Sequence, residues 1–201
     1  MRHHLVHQLD ALSVTAKSHP SRGPWCKVPI RTRRLVLRLP RMEDVDAITS
    51  ACAHPSTRWG VHLLPSPYRR GDAVRFVATT RAQFRRRESV ALAITSKDQG
   101  RLVGMIELCL LSMDDRCAEL GYWISPMERG QGYATEAARA MCRMAFQTLR
   151  LHRVEAGALA RNRASIRVLQ KAGLRHEGTF RERVRIGERW LDEVRLARLR
   201  S

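Results

Sequence analysis

Aromatic residues are scarce, 5% of 201, and no basic stretch is interleaved with the rings on which single-strand binders stack bases. Lysine is nearly missing: only Lys17, Lys27, Lys97 and Lys171 occur, so 33 of the 37 basic groups are arginine. No apolar run approaches the roughly 20 residues of a membrane-spanning helix, so no membrane partner is expected. The cysteines Cys26, Cys52, Cys109, Cys117 and Cys142 are odd in number and lack CxxC spacing. That argues against a disulfide framework and a thiolate metal site, and predicts reduced, mostly buried thiols in a cytoplasmic protein. The start, Met1-Arg-His-His-Leu-Val-His, lacks the long apolar segment of a secretion signal.

What is present is positive charge and enough apolar material for a core. Hydrophobic residues make up 44%, and the formal charge is +18. The length favours one domain. The charge has two readings: an anionic partner, or arginines spread over a solvated surface. The clusters are short (Arg31, Arg33, Arg34; Arg85, Arg86, Arg87), so the second reading is preferred and nucleic acid is the less favoured partner. Residues 1–30, with His3, His4, His7 and His19 among Ser, Pro and Gly, show little periodicity. They read as a flexible or loosely docked extension of a domain spanning 31–201.

The pattern from there predicts a mixed α/β order. A strand at Arg34–Leu39 ends at Pro40, and Glu43, Asp44 and Asp46 open a helix through about Ala53. A loop carrying His54, Pro55, Trp59, Gly60, Pro65 and Pro67 precedes a second helix, about Asp72–Arg87. Strands follow at Val90–Thr95, Leu102–Leu110 and Ala118–Ile124, the first two joined by a hairpin-like turn at Lys97-Asp-Gln-Gly100. Apolar positions at helical spacing run from Gly132 to Leu149. His152–Leu159 reads as a strand, Asn162 as the N-cap of a short helix ending at Gly173, and two strands, His176–Arg185 and Arg189–Leu199, close the chain.

The informative stretch is Tyr122-Trp-Ile-Ser-Pro-Met-Glu-Arg-Gly-Gln-Gly-Tyr-Ala-Thr-Glu-Ala137. A strand ends, glycines follow, and a long helix begins. Glycine allows positive φ and close approach of backbone N–H groups, and a helix N-terminus concentrates such donors on a phosphate. No Gly-Lys-Ser/Thr follows, so this is not a P-loop. Thr135 stands where a GxGxxG motif needs its third glycine.

Arg129-Gly-Gln-Gly-Tyr-Ala134 resembles the R/Q-x-x-G-x-G/A acetyl-CoA loop of the GNAT N-acetyltransferase superfamily. Ala118-Glu-Leu-Gly-Tyr-Trp-Ile-Ser-Pro126 and Asn162-Arg-Ala-Ser-Ile-Arg-Val-Leu-Gln-Lys-Ala-Gly173 are similar to its ribosomal-protein-alanine and -serine N-acetyltransferase branch. The likeness runs from about Arg31 to Leu199. It implies the GNAT fold: a mostly antiparallel central sheet with flanking helices. It also implies transfer of an acetyl group from acetyl-CoA to a primary amine, with a ribosomal protein or another protein N-terminus as one acceptor class. A small-molecule amine is the enzymatic alternative. An acyl-CoA-binding module or a basic RNA- or ribosome-associated protein is the alternative from other classes. Monomer and homodimer both occur in the family.

The resemblance also assigns residues. Backbone amides of Gly130, Gln131, Gly132, Tyr133, Ala134 and Thr135 would hold the pyrophosphate, with Arg129 beside them. Trp123 and Ile124 would align the pantetheine arm, with an amide near Ile124 facing the thioester oxygen. Asn162 would contact the arm from the other side, in addition to capping its helix.

An ammonium has no lone pair, so amine acetylation needs a base, and an acid can protonate the leaving thiolate. Glu119 is the first candidate base, and it also reads as an arginine-paired strand carboxylate; Glu107, one strand earlier, is the second, with less support from the motif. The superfamily's tyrosine acid is replaced here by Leu169. Ser165 matches the serine that the ribosomal-protein branch offers to sulfur, and also reads as a first-turn helix cap. Arg163, Arg167 and Lys171 fall near the expected nucleotide end of CoA and have two readings, contact with its 3′-phosphate or solvated helix charges, of which the second is preferred.

Overall fold

A computed structural model describes residues 26–61 and 64–200, apart from the side chains of Arg58 and Trp59. The histidines of the N-terminal extension lie outside the described residues. Two short strands come first, the edge strand β1 (Ile30–Arg31) and its neighbour β2 (Leu35–Arg38). Three helices follow: α1 (Val45–Ala53), α2 (Pro55–Gly60) and α3 (Arg70–Arg86). The centre is β3 (Ser89–Ser96), β4 (Leu102–Ser112), β5 (Cys117–Ile124), α4 (Tyr133–Gln147) and β6 (Arg153–Leu159). The chain closes with α5 (Arg163–Lys171), β7 (Arg175–Ile186) and β8 (Arg189–Leu199).

The eight strands form one sheet in the order β1-β2-β3-β4-β5-β6-β8-β7. β3 lies inside the sheet, is buried along its whole length, and accordingly reads as an unbroken apolar run, Val90 to Ile94. Every neighbouring pair is antiparallel except β5 and β6, which are joined through α4. Parallel neighbours need such a crossover. α4 presents Ala137, Ala138, Met141, Cys142 and Ala145 to one face of the sheet, against Leu92, Ile106, Leu108 and Leu120. Small side chains on that stripe let the helix lie close. On the other face α1 and α3 bury Val45, Ile48 and Val77 against Ala93, Met105 and Trp123.

The parallel pairing is short. β5 and β6 pair only at Cys117–Glu119 with Arg153–Glu155, yet each runs on, to Ile124 and to Leu159. Beyond Glu119 and Glu155 the two strands splay, leaving a wedge whose facing edges have no strand partner.

Two expectations change. The loop expected between His54 and Tyr68 contains α2, six residues opened by a Pro at its first position after His54, whose side chain accepts from Ser56 N–H. A helix of one and a half turns is too short to show a period. The expected extension also ends differently: β1 pairs with β2, and Cys26 is buried, with Val28 and Ile30 packed on the core. Cys26–Arg31 are therefore docked on the domain, earlier than the boundary at 31.

Candidate active site

β5 stops at Ile124, Pro126–Glu128 makes a 3-10 turn, and Gly130 and Gly132 take φ of 80° and 79°. At such angles a Cβ would be strained, so Gly132 can act as the α4 N-cap in a left-handed conformation while supplying no capping side chain. The first-turn N–H groups of a helix have no intrahelical acceptor. Those of Tyr133, Ala134 and Thr135 thus form an uncapped donor cluster at the positive end of the α4 dipole.

Beside it opens a groove of about 630 Å³ lined by Arg33, Arg34, Arg139, Arg143, Lys171, Thr135 and Gly132, among others. Arg34 is fixed there: its guanidinium stacks 4.8 Å over the Tyr133 ring and bonds Glu136 at 2.8 Å. Glu136 would be raised by burial, but Thr32 and Arg34 donate to its carboxylate and hold it below the ordinary carboxylate value. Of the three cations expected on α5, only Lys171 lines this groove; Arg163 and Arg167 are exposed helix residues. Arg33, Arg34, Arg139 and Arg143 were missed, although the Arg31, Arg33, Arg34 cluster was visible.

The other loop residues divide. The Arg129 guanidinium is engaged by neighbouring elements. Its Nε donates to Ile124 O at 3.2 Å, Nη1 to Ser56 Oγ at 2.8 Å and Nη2 to Thr57 Oγ1 at 3.0 Å. It ties α2 to the end of β5. Gln131 donates from its side chain to buried Glu128. Trp123 is buried against α1 and α3, on the face opposite α4, and Ile124 belongs to the core beneath α4.

Across the wedge, Asn162 caps α5 by accepting from Ser165 N–H at 3.1 Å. The end of α2 comes close: a Cβ on Gly60 would lie 3.7 Å from Asn162 Nδ2. Ser165 is in a chain with a residue not singled out in the sequence. Tyr122 Oη lies 2.9 Å from Ser165 Oγ, bridging β5 and α5. Burial pushes the Tyr122 phenol up to about 12, while Ser165 pulls the other way. Tyr122 thus keeps its proton at neutral pH.

The face away from α4 holds the carboxylates. Glu119 is buried at the apex of the wedge, bonded by Arg195 Nη1 at 2.8 Å, and the same guanidinium bonds Glu155 Oε1 at 2.5 Å. Glu193 Oε2 is 3.7 Å from Arg195 and has no hydrogen bond. Burial alone would lower the Arg195 pKa; the attraction of Glu119, Glu193 and Glu155 raises it above its ordinary value. Glu107 lies on the same face, opposite Gly121 of β5. Burial first of all, and then the charge of Glu119, raise it to about 7, with Ser89 opposing.

This arrangement has known counterparts. Residues 34–175 match the family model "Acetyltransferase (GNAT) domain". YjcK of Bacillus subtilis, named an N-acetyltransferase, is 38% identical over 111 residues, 55% of this chain and 61% of that protein. YdaF of the same organism, named for ribosomal N-acetylation, is 40% identical over 83 residues, 41% of this chain and 45% of that one. The chain thus covers less than two thirds of these two relatives. A GNAT-family acetyltransferase structure from Bacillus anthracis superposes with a TM-score of 0.75 at 26% identity, covering 85% of this chain and 97% of the other. Two complexes share the fold. One is RimL, a ribosomal L7/L12 α-N-protein acetyltransferase with coenzyme A (TM-score 0.78, 16% identity, 87% and 98% covered). The other is spermidine N-acetyltransferase of Vibrio cholerae with CoA and spermine (0.73, 21%, 84% and 97%). The chain belongs to the GNAT family of acetyl-CoA-dependent N-acetyltransferases.

Proposed function

We propose that this protein acetylates a primary amine, with a protein N-terminus as the acceptor class, by direct attack in a ternary complex. The observation that carries the reading is the wedge between β5 and β6, with the uncapped start of α4 at the end of β5. The amides of Tyr133, Ala134 and Thr135 hold the pyrophosphate of acetyl-CoA. Arg33, Arg34, Arg139, Arg143 and Lys171 face its nucleotide end, and the free edge of β5 lines the pantetheine arm. The Ile124 amide is the candidate donor to the thioester oxygen. Tyr122 and Ser165 supply a proton to the departing sulfur, and a carboxylate on the acceptor face takes one from the amine. Alignment of the two substrates accounts for much of the rate.

The ribosomal name of YdaF supports a protein N-terminus as acceptor. A second reading, a small cationic amine, is favoured by one observation: four carboxylates, Glu107, Glu119, Glu155 and Glu193, lie on the acceptor face beside Arg195. They would offset, locally, the repulsion expected from a +18 chain. A screen of peptides with varied N-termini against small amines, read by CoA release, separates the two. Turnover of peptides only supports the N-terminal reading, and turnover of small amines only replaces it. Tight acetyl-CoA binding with no acceptor turned over defeats both.

A further inference from the structure

We propose that Glu107 is the general base of this acetyltransferase, and that Arg195 is a positioning residue that keeps Glu119 out of that role. The proposal rests on the acetyl-transfer reading above and concerns which carboxylate serves it.

The first argument is register. Glu107 pairs with Gly121 and so stands three residues along β5 from Ile124, whereas Glu119 stands five residues away. At about 3.4 Å per residue, Glu107 is level with a point about 10 Å from the acetyl end and Glu119 with one about 17 Å away. Because Glu107 and Gly121 are partners in an antiparallel pair, the Glu107 side chain leaves the sheet on the face that carries Glu119. The residue opposite it on β5 has no side chain to stand between it and the wedge.

The second argument is how Glu119 is held. Arg195 lies on β8, a full strand away, and reaches β5 by crossing above β6 at Gly157, its own pairing partner. A Cβ on Gly157 would fall 2.4 Å from Glu193 Oε1 and 2.9 Å from Arg195 Nη1. This glycine is the gap through which the guanidinium passes. Once across, it binds Glu119 and Glu155 together. A carboxylate in a buried, charge-assisted bond is a poor proton acceptor, since protonation would leave the arginine facing a neutral partner.

Among the described residues no ion pair engages Glu107. The titratable groups on its face include Glu119 on β5, Cys109 two residues along β4, and Arg38 on β2, whose guanidinium is taken by Asp44. Across the wedge stand Arg195 and Glu155, with Glu193 beside them. The helical layer adds Cys52 of α1 and Tyr68 just before α3, both pushed up by burial. β3 offers only Ser89. None of these supplies a cation to Glu107, and Glu119 works against its ionisation, so it is poised to accept a proton near neutrality.

In the step itself the amine nitrogen attacks the thioester carbonyl carbon. The C–N bond forms, the C–S electron pair leaves on sulfur, the nitrogen's proton reaches Glu107 through a relay of waters, and sulfur takes a proton from the Ser165–Tyr122 pair.

The test is the pH dependence of kcat, at saturating acetyl-CoA and one fixed acceptor amine, in wild type, Glu107→Gln, Glu119→Gln and Gly157→Ala. Any limb due to the amine itself is common to all four. The expected result is an acidic limb near pH 7 that disappears in Glu107→Gln, with kcat down 100-fold or more and acetyl-CoA affinity kept. Glu119→Gln should retain the limb. In Gly157→Ala, where the guanidinium must shift, the limb should move, because the charge of Glu119 is no longer balanced. A limb that persists in Glu107→Gln, or is lost in Glu119→Gln, overturns the proposal. Should Glu107→Gln not fold, Glu107→Asp replaces it, expected to keep the limb at reduced rate, and the Glu119→Gln profile still decides. If wild type turns over no amine, the functional reading fails instead.

Discussion

The two approaches to the wedge carry opposite charge. At the start of α4, Arg33, Arg34, Arg139, Arg143 and Lys171 surround one acidic side chain, Glu136. On the face away from α4, Glu119, Glu155 and Glu193 share Arg195, Arg153 holds Glu155 from the rim, and Glu107 lies on the same face outside these pairs. A chain of net charge +18 has sorted its charges by location, so the overall sign says little about the field an acceptor meets. The groove cations are mostly solvated. Glu107, Glu119 and Glu193 are buried, and the pairing of Glu119 and Glu193 comes from within, which makes the carboxylate side the more sensitive of the two to substitution.

The largest expected effect breaks the acidic side. Glu107→Gln should lower kcat by about 10²- to 10³-fold, the usual reach of general-base catalysis, in a steady-state CoA-release assay. The same variant tests the energetics. A carboxyl raised from 4.5 to about 7 favours the folded state below 4.5 and loses that contribution as pH climbs through 7. Denaturant unfolding at pH 5 and pH 8.5 should therefore show Glu107→Gln gaining on wild type at the higher pH, by up to about 3 kcal/mol at about 1.4 kcal/mol per pH unit.

Gly132→Ala breaks the basic side at its backbone. With φ at 79°, an alanine there costs about 1–2 kcal/mol and disturbs the amide cluster. Acetyl-CoA binding by calorimetry should weaken about 10-fold or more, with a smaller change in the acceptor KM. Tyr122→Phe lies between the two sides. Losing the phenol that faces Ser165 Oγ should lower kcat several-fold, about 5, with acetyl-CoA affinity unchanged. Lys171→Ala sharpens the comparison most gently. Acetyl-CoA affinity should fall about threefold at low salt, and the difference should close in high salt, as a solvated charge contact does.

The elements were legible where the signal is local. Pro40, Pro126, Gly132 and Gly173 punctuate the chain, and the α4 stripe Ala137, Ala138, Met141 and Ala145 has the period of a helix packed on one side. The glycine loop was legible for the same reason, since its chemistry lies in consecutive residues. α2 was not, being too short for periodicity, although Pro55 directly after His54 is a first-turn signal. Glu119 and Glu107 could both be named from the sequence, yet nothing local separated them. Arg129 carried a motif position, and its guanidinium is engaged instead by Ser56 and Thr57, more than seventy residues earlier.

Sequence alone determined the main strands and longer helices, the turn that frees the amides at the start of α4, and the motifs that mark the family, because each of these signals lies in residues close together in the chain. Tertiary structure alone decided which carboxylate is held and which is not. Arg195 meets Glu119 across 76 positions of chain. That meeting depends on the β6–β8 register placing it over Gly157 and on β5 and β6 parting company just beyond the pair, and long-range pairing of this kind leaves no mark on the neighbours of any of these residues.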